Sequence, residues 1–294
     1  MIKNLVISGG GLKTIPVLGS LRYLEEKGVL NHITSYYTTS AGSIYALMLI
    51  LNYSVDEIEN VILNFDPKKI LTPNPDIDNF LTNFNFYDQN KFQKFIKLLI
   101  SYKMGKEFSN MTLYQLHKHT HKSLLCATVS LKYKKIKYFD HTNQPNMPVY
   151  MLILMTCAVP LIFKPISWRG DKFVDGGLID NFPVFAIPLN EHNSTLGIYV
   201  QTKFRKTNIK FIDIVDYISC LLAISTLSSK RITHHHVINI MVSEDHGINI
   251  ISTSMSLKEK KKSILKSYDE TKVQYDSILL NFFPVKNIVR RNSF

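Results

Sequence analysis

The chain has 294 residues, 45% of them hydrophobic and 20% charged, with the apolar positions spread along its length, which excludes a disordered polymer and predicts one sizeable core. Its net charge of +12 draws it towards polyanions without choosing between lipid headgroups and nucleic acid. The longest apolar run, Val149 to Phe163, is too short to cross a bilayer and is broken by Thr156, Cys157 and Pro160.

Ile2 to Ser8 is an apolar, strand-like run that enters Gly9-Gly10-Gly11, and Leu18, Leu21 and Leu24 then share a helical face stopped by Gly28. The start lacks the long apolar region of a signal peptide, so a cytoplasmic protein is expected. Ile33 to Thr39 reads as a second strand, meeting Ser40-Ala41-Gly42-Ser43 before the apolar helix Ile44 to Leu51. Ser54 and Glu57 form a capping box for a third helix carrying Ile58, Val61 and Ile62. A polar loop with Pro73 and Pro75 leads to the aromatic cluster Phe80, Phe84, Phe86 and Tyr87, then to a helix around Phe92, Phe95, Ile96 and Leu99 and another capped by Thr112. Strands are expected at Leu124 to Val129, Ile136 to Phe139, Phe173 to Val174, Leu196 to Gln201 and Val237 to Val242. Helices are expected at Val149 to Cys157, Ile212 to Thr226 and Leu257 to Leu280. This alternation predicts an α/β fold with a mostly parallel sheet, in one domain over residues 1–285 followed by a basic tail at 286–294. Sheets of this type bind ligands at the carboxyl ends of their strands, where both glycine turns fall. Cys126, Cys157 and Cys220 are odd in number and set among apolar neighbours, which suits buried, reduced thiols.

Three short segments could carry chemistry. Thr38-Thr39-Ser40-Ala41-Gly42, between strand and helix, reads either as a helix cap at Ser40 or as a nucleophile elbow with threonine at the usual first glycine. Ser8 to Thr14 reads as an anion-holding loop, although Leu12 and Thr14 spoil the phosphate-loop and dinucleotide patterns. An oxyanion hole is the third reading of that loop. Phe173-Val174-Asp175-Gly176-Gly177 is by itself a turn. The alternating His117, His119 and His121 could share a strand face as metal ligands, but a solvated turn is expected there, and His234, His235 and His236 read as surface. A histidine triad would need His192 or His246 after an acid.

Taken in this order, the three segments resemble the patatin-like phospholipase family. The similarity extends to Met155-Thr156-Cys157-Ala158-Val159-Pro160-Leu161-Ile162-Phe163-Lys164-Pro165 and to Gly177-Leu178-Ile179-Asp180-Asn181-Phe182-Pro183-Val184. It implies a three-layer α/β/α domain that hydrolyses fatty-acyl esters of phospholipids or related lipids, with no metal or cofactor. It further implies Ser40 as nucleophile, Asp175 as its base and Gly9, Gly10 and Gly11 as oxyanion loop, supported by Lys13, Ala41, Gly42, Gly176 and Gly177. Thr14 and Thr38 stand at glycine positions of the family. Thr38 is expected to crowd the elbow and Thr14 to restrict the loop exit, weakening catalysis, so that glycine at either position would raise the rate. With a lipid substrate, the positive charge implies reversible attachment to anionic membrane surfaces through residues such as Lys258, Lys260, Lys261, Lys262, Arg290 and Arg291, and no nucleic-acid partner.

Overall fold

The computed structural model describes residues 1–66, 89–203, 237–243 and 256–282. The expected helix Ile212 to Thr226 with Cys220, the cluster Phe80 to Tyr87, His234 to His236, His246 and the basic tail with Arg290 and Arg291 lie outside the described residues.

The strands β1 (Asn4–Ile7), β2 (Ser35–Thr39), β3 (Ser123–Ser130), β4 (Lys135–Phe139), β5 (Ile166–Trp168), β6 (Asp171–Asp175), β7 (Thr195–Lys203) and β8 (Val237–Ser243) form one eight-stranded sheet. Its order is β5-β6-β3-β2-β1-β7-β8, with β4 also paired to β3. The run β3-β2-β1-β7-β8 is parallel, whereas β4 and β6 run antiparallel to β3, and β5 to β6. The sheet is thus mixed: a parallel majority with an antiparallel margin. Short β5 lies just past the Val149 to Phe163 run and has too few residues to show an alternation of its own.

The helices are α1 (Val17–Glu26), α2 (Gly42–Ile50), α3 (Val55–Asn64), α4 (Gln89–Met104), α5 (Leu113–Thr120), α6 (Val149–Thr156) and α7 (Leu257–Phe282). They lie around the sheet in the three-layer α/β/α arrangement. α3 and α5 start on reciprocal capping boxes, Ser54 with Glu57 and Thr112 with Gln115. Alternation along β1 sends Leu5 and Ile7 into the main core, while Val6 joins a smaller cluster with Phe182, Val184 and Ile187. α2 and α6 read as near-continuous apolar runs because they are buried at the centre of the molecule. α1 and α7 pack so closely that a side chain at Gly19 would meet the Ile264 carbonyl.

The histidine pattern is resolved differently from either expectation. His117 and His119 lie in α5, neither strand nor solvated turn, and His121 ends that helix at φ 55°. The His117 ring stacks on His141 at 3.8 Å. Among the described residues no group of histidine, cysteine and carboxylate side chains is placed to hold a metal, and no helix is long and apolar enough to cross a membrane.

Candidate active site

Strand register brings the sequence motifs together. Ile7 pairs with Thr38, so the glycine loop after β1 and the turn after β2 leave the same edge of the sheet side by side. On the other side of β2, Thr39 pairs with Ala127 of β3. Thr128 then pairs with Asp175, the last residue of antiparallel β6. Asp175 does not reach the site by ending a parallel strand. It does so because β6 enters from that edge and stops after five residues, meeting the end of β2 on the same side of β3, whose other side is taken by β4, so that Ser40 and Asp175 come next to each other along that side.

Ser40 is not a helix cap. The cap position of α2 is Ala41, with no side-chain cap bond, and Ser40 itself has φ 50°, a left-handed conformation that costs a non-glycine residue energy. Several contacts hold it there. Ser40 N–H donates to Thr156 Oγ1 at 2.9 Å, Ser43 Oγ donates to the Ser40 carbonyl at 2.6 Å, and Thr39 Oγ1 donates to the Asp180 carbonyl at 2.9 Å. A Cβ on Gly42 would come within 2.6 Å of the Ile7 carbonyl oxygen, so only glycine lets α2 start this close to β1. Thr38, expected to crowd the turn, is instead fully buried within β2 and outside left-handed space, with Oγ1 donating to the Leu125 carbonyl at 3.1 Å. A strand position favours a β-branched side chain, and this one has a hydrogen-bond partner waiting. Thr14 likewise has a fixed place, donating from Oγ1 to the Gly11 carbonyl at 2.6 Å.

In the glycine loop Gly10 and Gly11 adopt φ 152° and 55°, conformations that need glycine. The Gly9 N–H donates to the Asn181 carbonyl at 3.1 Å, and a Cβ at Gly9 would lie 2.5 Å from Asn181 Oδ1 and 3.1 Å from Ser40 Cβ. Gly9 therefore supplies space beside Ser40, and its amide is already used. The amides of Gly10 and Gly11 donate to no group among the described residues. Lys13 N–H closes the loop on the Gly10 carbonyl at 3.1 Å.

Asp175 is 5% exposed, and burial pushes its carboxyl up to about 7 against the pull of the neighbouring Ser40 hydroxyl and the Gly177 amide. Oδ1 accepts Gly177 N–H at 2.7 Å, while Oδ2 is buried with no hydrogen-bond partner. Ser40 is close enough to favour the ionised carboxylate, yet no hydrogen bond of good geometry joins the two. Such bonds often tighten only around substrate. Gly176 lets this turn pass against the Ala127 carbonyl.

Ser40 opens onto an apolar cavity of about 130 Å³ walled by, among others, Ile44 and Tyr45 of α2, Phe92 and Phe95 of α4, and Ile162 and Phe163. Cys157 lies in the same wall, its thiol held protonated by burial and by Asp175 nearby. The described histidines are elsewhere. His32, His117, His119, His121 and His141 cluster where β2 and β3 begin and His192 precedes β7, all at the amino edge of the parallel strands, opposite Ser40. Sequence reading gave no role to Thr156 or Asn181, which touch the elbow and the glycine loop. Both fall inside the two flanking runs that extended the resemblance.

Among curated proteins the chain is 28% identical over 279 residues to "Uncharacterized protein R571" of Acanthamoeba polyphaga mimivirus, covering 88% of this chain and 89% of that one. It is also 28% identical over 194 residues to "Probable lipid hydrolase 463L" of Invertebrate iridescent virus 6, covering 65% of this chain and 64% of the relative. In fold it is similar to VipD from Legionella pneumophila, with a TM-score of 0.64 at 18% identity over 94% of this chain and 67% of that one. It also resembles ExoU from Pseudomonas aeruginosa, with a TM-score of 0.58 at 14% identity over 95% of this chain and about half of that one, 53%. The model of the patatin-like phospholipase family matches residues 5–187, from β1 through the acid turn and the segment after it, and the chain belongs to that family.

Proposed function

We propose that this protein is a serine acyl hydrolase that cleaves fatty-acyl esters of phospholipids or related lipids through Ser40 and Asp175. The observation that carries this reading is a serine in left-handed backbone beside a buried carboxylate with one unpartnered oxygen, at the mouth of an apolar cavity. A fatty-acyl chain lies in that cavity. Asp175 Oδ2 takes the Ser40 proton as Oγ attacks the ester carbonyl, and the amides of Gly10 and Gly11 hold the oxyanion. Collapse breaks the ester C–O bond, and the proton passes from Asp175 to the departing alkoxide. Water then attacks the acyl-serine, giving its proton to Asp175; the acyl C–O bond to Ser40 breaks, Asp175 returns that proton to Oγ, and the fatty acid leaves. No histidine enters this scheme.

A carboxylate held near 7 by burial is a far better base than an ordinary aspartate, which supports direct proton transfer within the pair. The apolar lining of the cavity and the engaged Thr14 hydroxyl speak against a nucleotide phosphate as the occupant. A fluorophosphonate probe tests the reading. Labelling of the wild type, and none of Ser40→Ala, is expected; an unlabelled wild type stabilised thermally by ATP or GTP would replace this reading with a nucleotide-binding one, and an unlabelled protein that binds lipid would make it a binding protein.

A lipid substrate together with the net charge of +12 supports reversible attachment to anionic membrane surfaces. Lys258, Lys261 and Lys262 are exposed at the start of α7. Lys260 in the same turn donates to the Leu63 carbonyl of α3, next to Ile62 of the cavity wall. Each such lysine near an anionic leaflet contributes about 1 kcal/mol. Sedimentation of Ser40→Ala with anionic vesicles should fall steeply towards 0.5 M salt, roughly as screening shortens the reach of each charge; binding indifferent to salt or lipid charge would refute the attachment.

A further inference from the structure

One three-residue stretch, Thr156 to Ala158 at the end of α6, touches the backbone of both turns. The Thr156 hydroxyl accepts Ser40 N–H at 2.9 Å and donates to the Ala127 carbonyl at 2.7 Å. Two residues on, the Ala158 carbonyl accepts Asp175 N–H at 2.9 Å. The Ala127 carbonyl is also the group against which Gly176 packs. A threonine hydroxyl has a single proton. With that proton committed to Ala127, an oxygen lone pair faces Ser40 N–H, so the hydroxyl acts as a spacer of fixed polarity between β3 and the elbow. Thr156 is fully buried and Ser40 nearly so. The parallel ladder ends at Thr39, so Ser40 N–H has no strand partner to replace it.

We propose that Thr156 is a positioning residue for the reaction: its hydroxyl fixes the height and direction of Ser40 against β3, while Ala158, just beyond the C-cap of the same helix, fixes Asp175. The nucleophile and its base are thereby spaced by one element, and a shift of that element moves both together. This inference rests on the Ser40 and Asp175 reading above. Thr156 itself touches neither substrate nor the transferred proton.

The test compares Thr156→Val, which keeps the shape and removes both hydrogen bonds, with Thr156→Ser, which keeps both. Two readouts are taken: hydrolysis of a short-chain nitrophenyl ester, and amide hydrogen exchange of the peptide containing residues 39–42. Thr156→Val should lower kcat about a hundredfold, the scale of a misplacement of roughly 1 Å. KM should stay within about threefold, because the cavity wall is unchanged, and the 39–42 amides should exchange at least about tenfold faster. Thr156→Ser should match the wild type within about threefold in both. A folded Thr156→Val with wild-type kcat or wild-type exchange overturns the proposal. So does a Thr156→Ser enzyme as impaired as the valine variant, and that arm decides the matter if the valine variant does not fold. If the wild type itself neither hydrolyses ester nor labels at Ser40, the acyl-hydrolase reading fails, while the exchange measurement still reports whether Thr156 clamps the elbow.

Discussion

The elbow after β2 and the acid turn after β6 meet on the same side of β3 and are built in opposite ways. In the elbow, Thr38, Thr39 and Ser43 each place a hydroxyl on a backbone carbonyl, and Ser40 N–H is bonded to Thr156. In the acid turn, Asp175 keeps one oxygen on Gly177 N–H and buries the other without a partner. Buried polar groups are ordinarily satisfied; among the described residues Asp175 Oδ2 shares its lack of a partner with Thr128 Oγ1 on the paired strand and with Gln89 Oε1, and it is the one of the three that belongs to an ionisable group. Position is secured where a strained backbone must be held, and a carboxylate oxygen is left unsatisfied where, on the proposed mechanism, a proton comes and goes.

The largest effect expected is on chemistry. Ser40→Ala and Asp175→Asn should each lower ester hydrolysis by about 10³-fold or more, and the double variant should be no worse, because nucleophile and base act as one unit. A mild Asp175→Asn phenotype, measured as kcat/KM in a folded protein, would break the contrast, since the unpartnered oxygen would then have no function.

The acid turn also predicts a pH signature. With the Asp175 carboxyl near 7, kcat/KM should rise through about pH 7 as the base ionises and then level off. Its effect on stability has the opposite direction. An unfolded aspartate ionises near 4, so between about pH 4 and 7 the folded state holds the extra proton. The favourable contribution of the protonated carboxyl is complete below pH 4 and is lost as pH rises through 7. Asp175→Asn removes the buried charge, and at pH 8 it should melt above the wild type, by up to about 4 kcal/mol in stability. Thermal melts at pH 5 and pH 8 check this: the advantage should shrink at the lower pH.

A smaller effect is expected in the elbow. Thr38→Gly loses a buried hydrogen bond and a strand-compatible side chain, and should cost about 1–3 kcal/mol without raising kcat. Thr14→Gly should cost about 1 kcal/mol for the lost bond to Gly11. Melting temperatures together with ester kinetics measure both, and a faster Thr38→Gly enzyme would restore the crowding explanation. Smallest of all, His192→Ala should leave activity within a few-fold, because its ring contacts the Ile187 carbonyl at the far edge of the sheet.

Much of this was legible in the sequence because the motifs lie where local pattern is strong. The strand, glycine turn and helix units at Ile2 to Gly28 and Ile33 to Leu51 carry their own punctuation, and the capping boxes at Ser54 and Thr112 formed as their residue types require. What local pattern does not encode is strand direction. β6 is five residues long and β5 three, and nothing within them shows that β6 runs against β3 and β5 against β6. The fit of Thr38 and Thr14 is hidden from the sequence for a related reason. Their cost depends on whether a carbonyl waits across the strand or the loop, and Leu125 is 87 residues away in sequence. The histidines of α5 were expected in a solvated turn because they alternate with polar residues, while the cap at Thr112 and the core contacts of Leu113 and Leu116 settle the segment as helix.

The central claim is that Ser40 carries the acyl group between the two halves of the reaction. Brief mixing of the wild type with a slowly hydrolysed ester, followed by acid quench and peptide mass mapping, tests it most directly. The account predicts one acyl adduct, on the peptide containing Ser40, appearing with a burst of alcohol and absent from Ser40→Ala and Asp175→Asn. Steady hydrolysis with no adduct at Ser40, or an adduct on another residue, would contradict it.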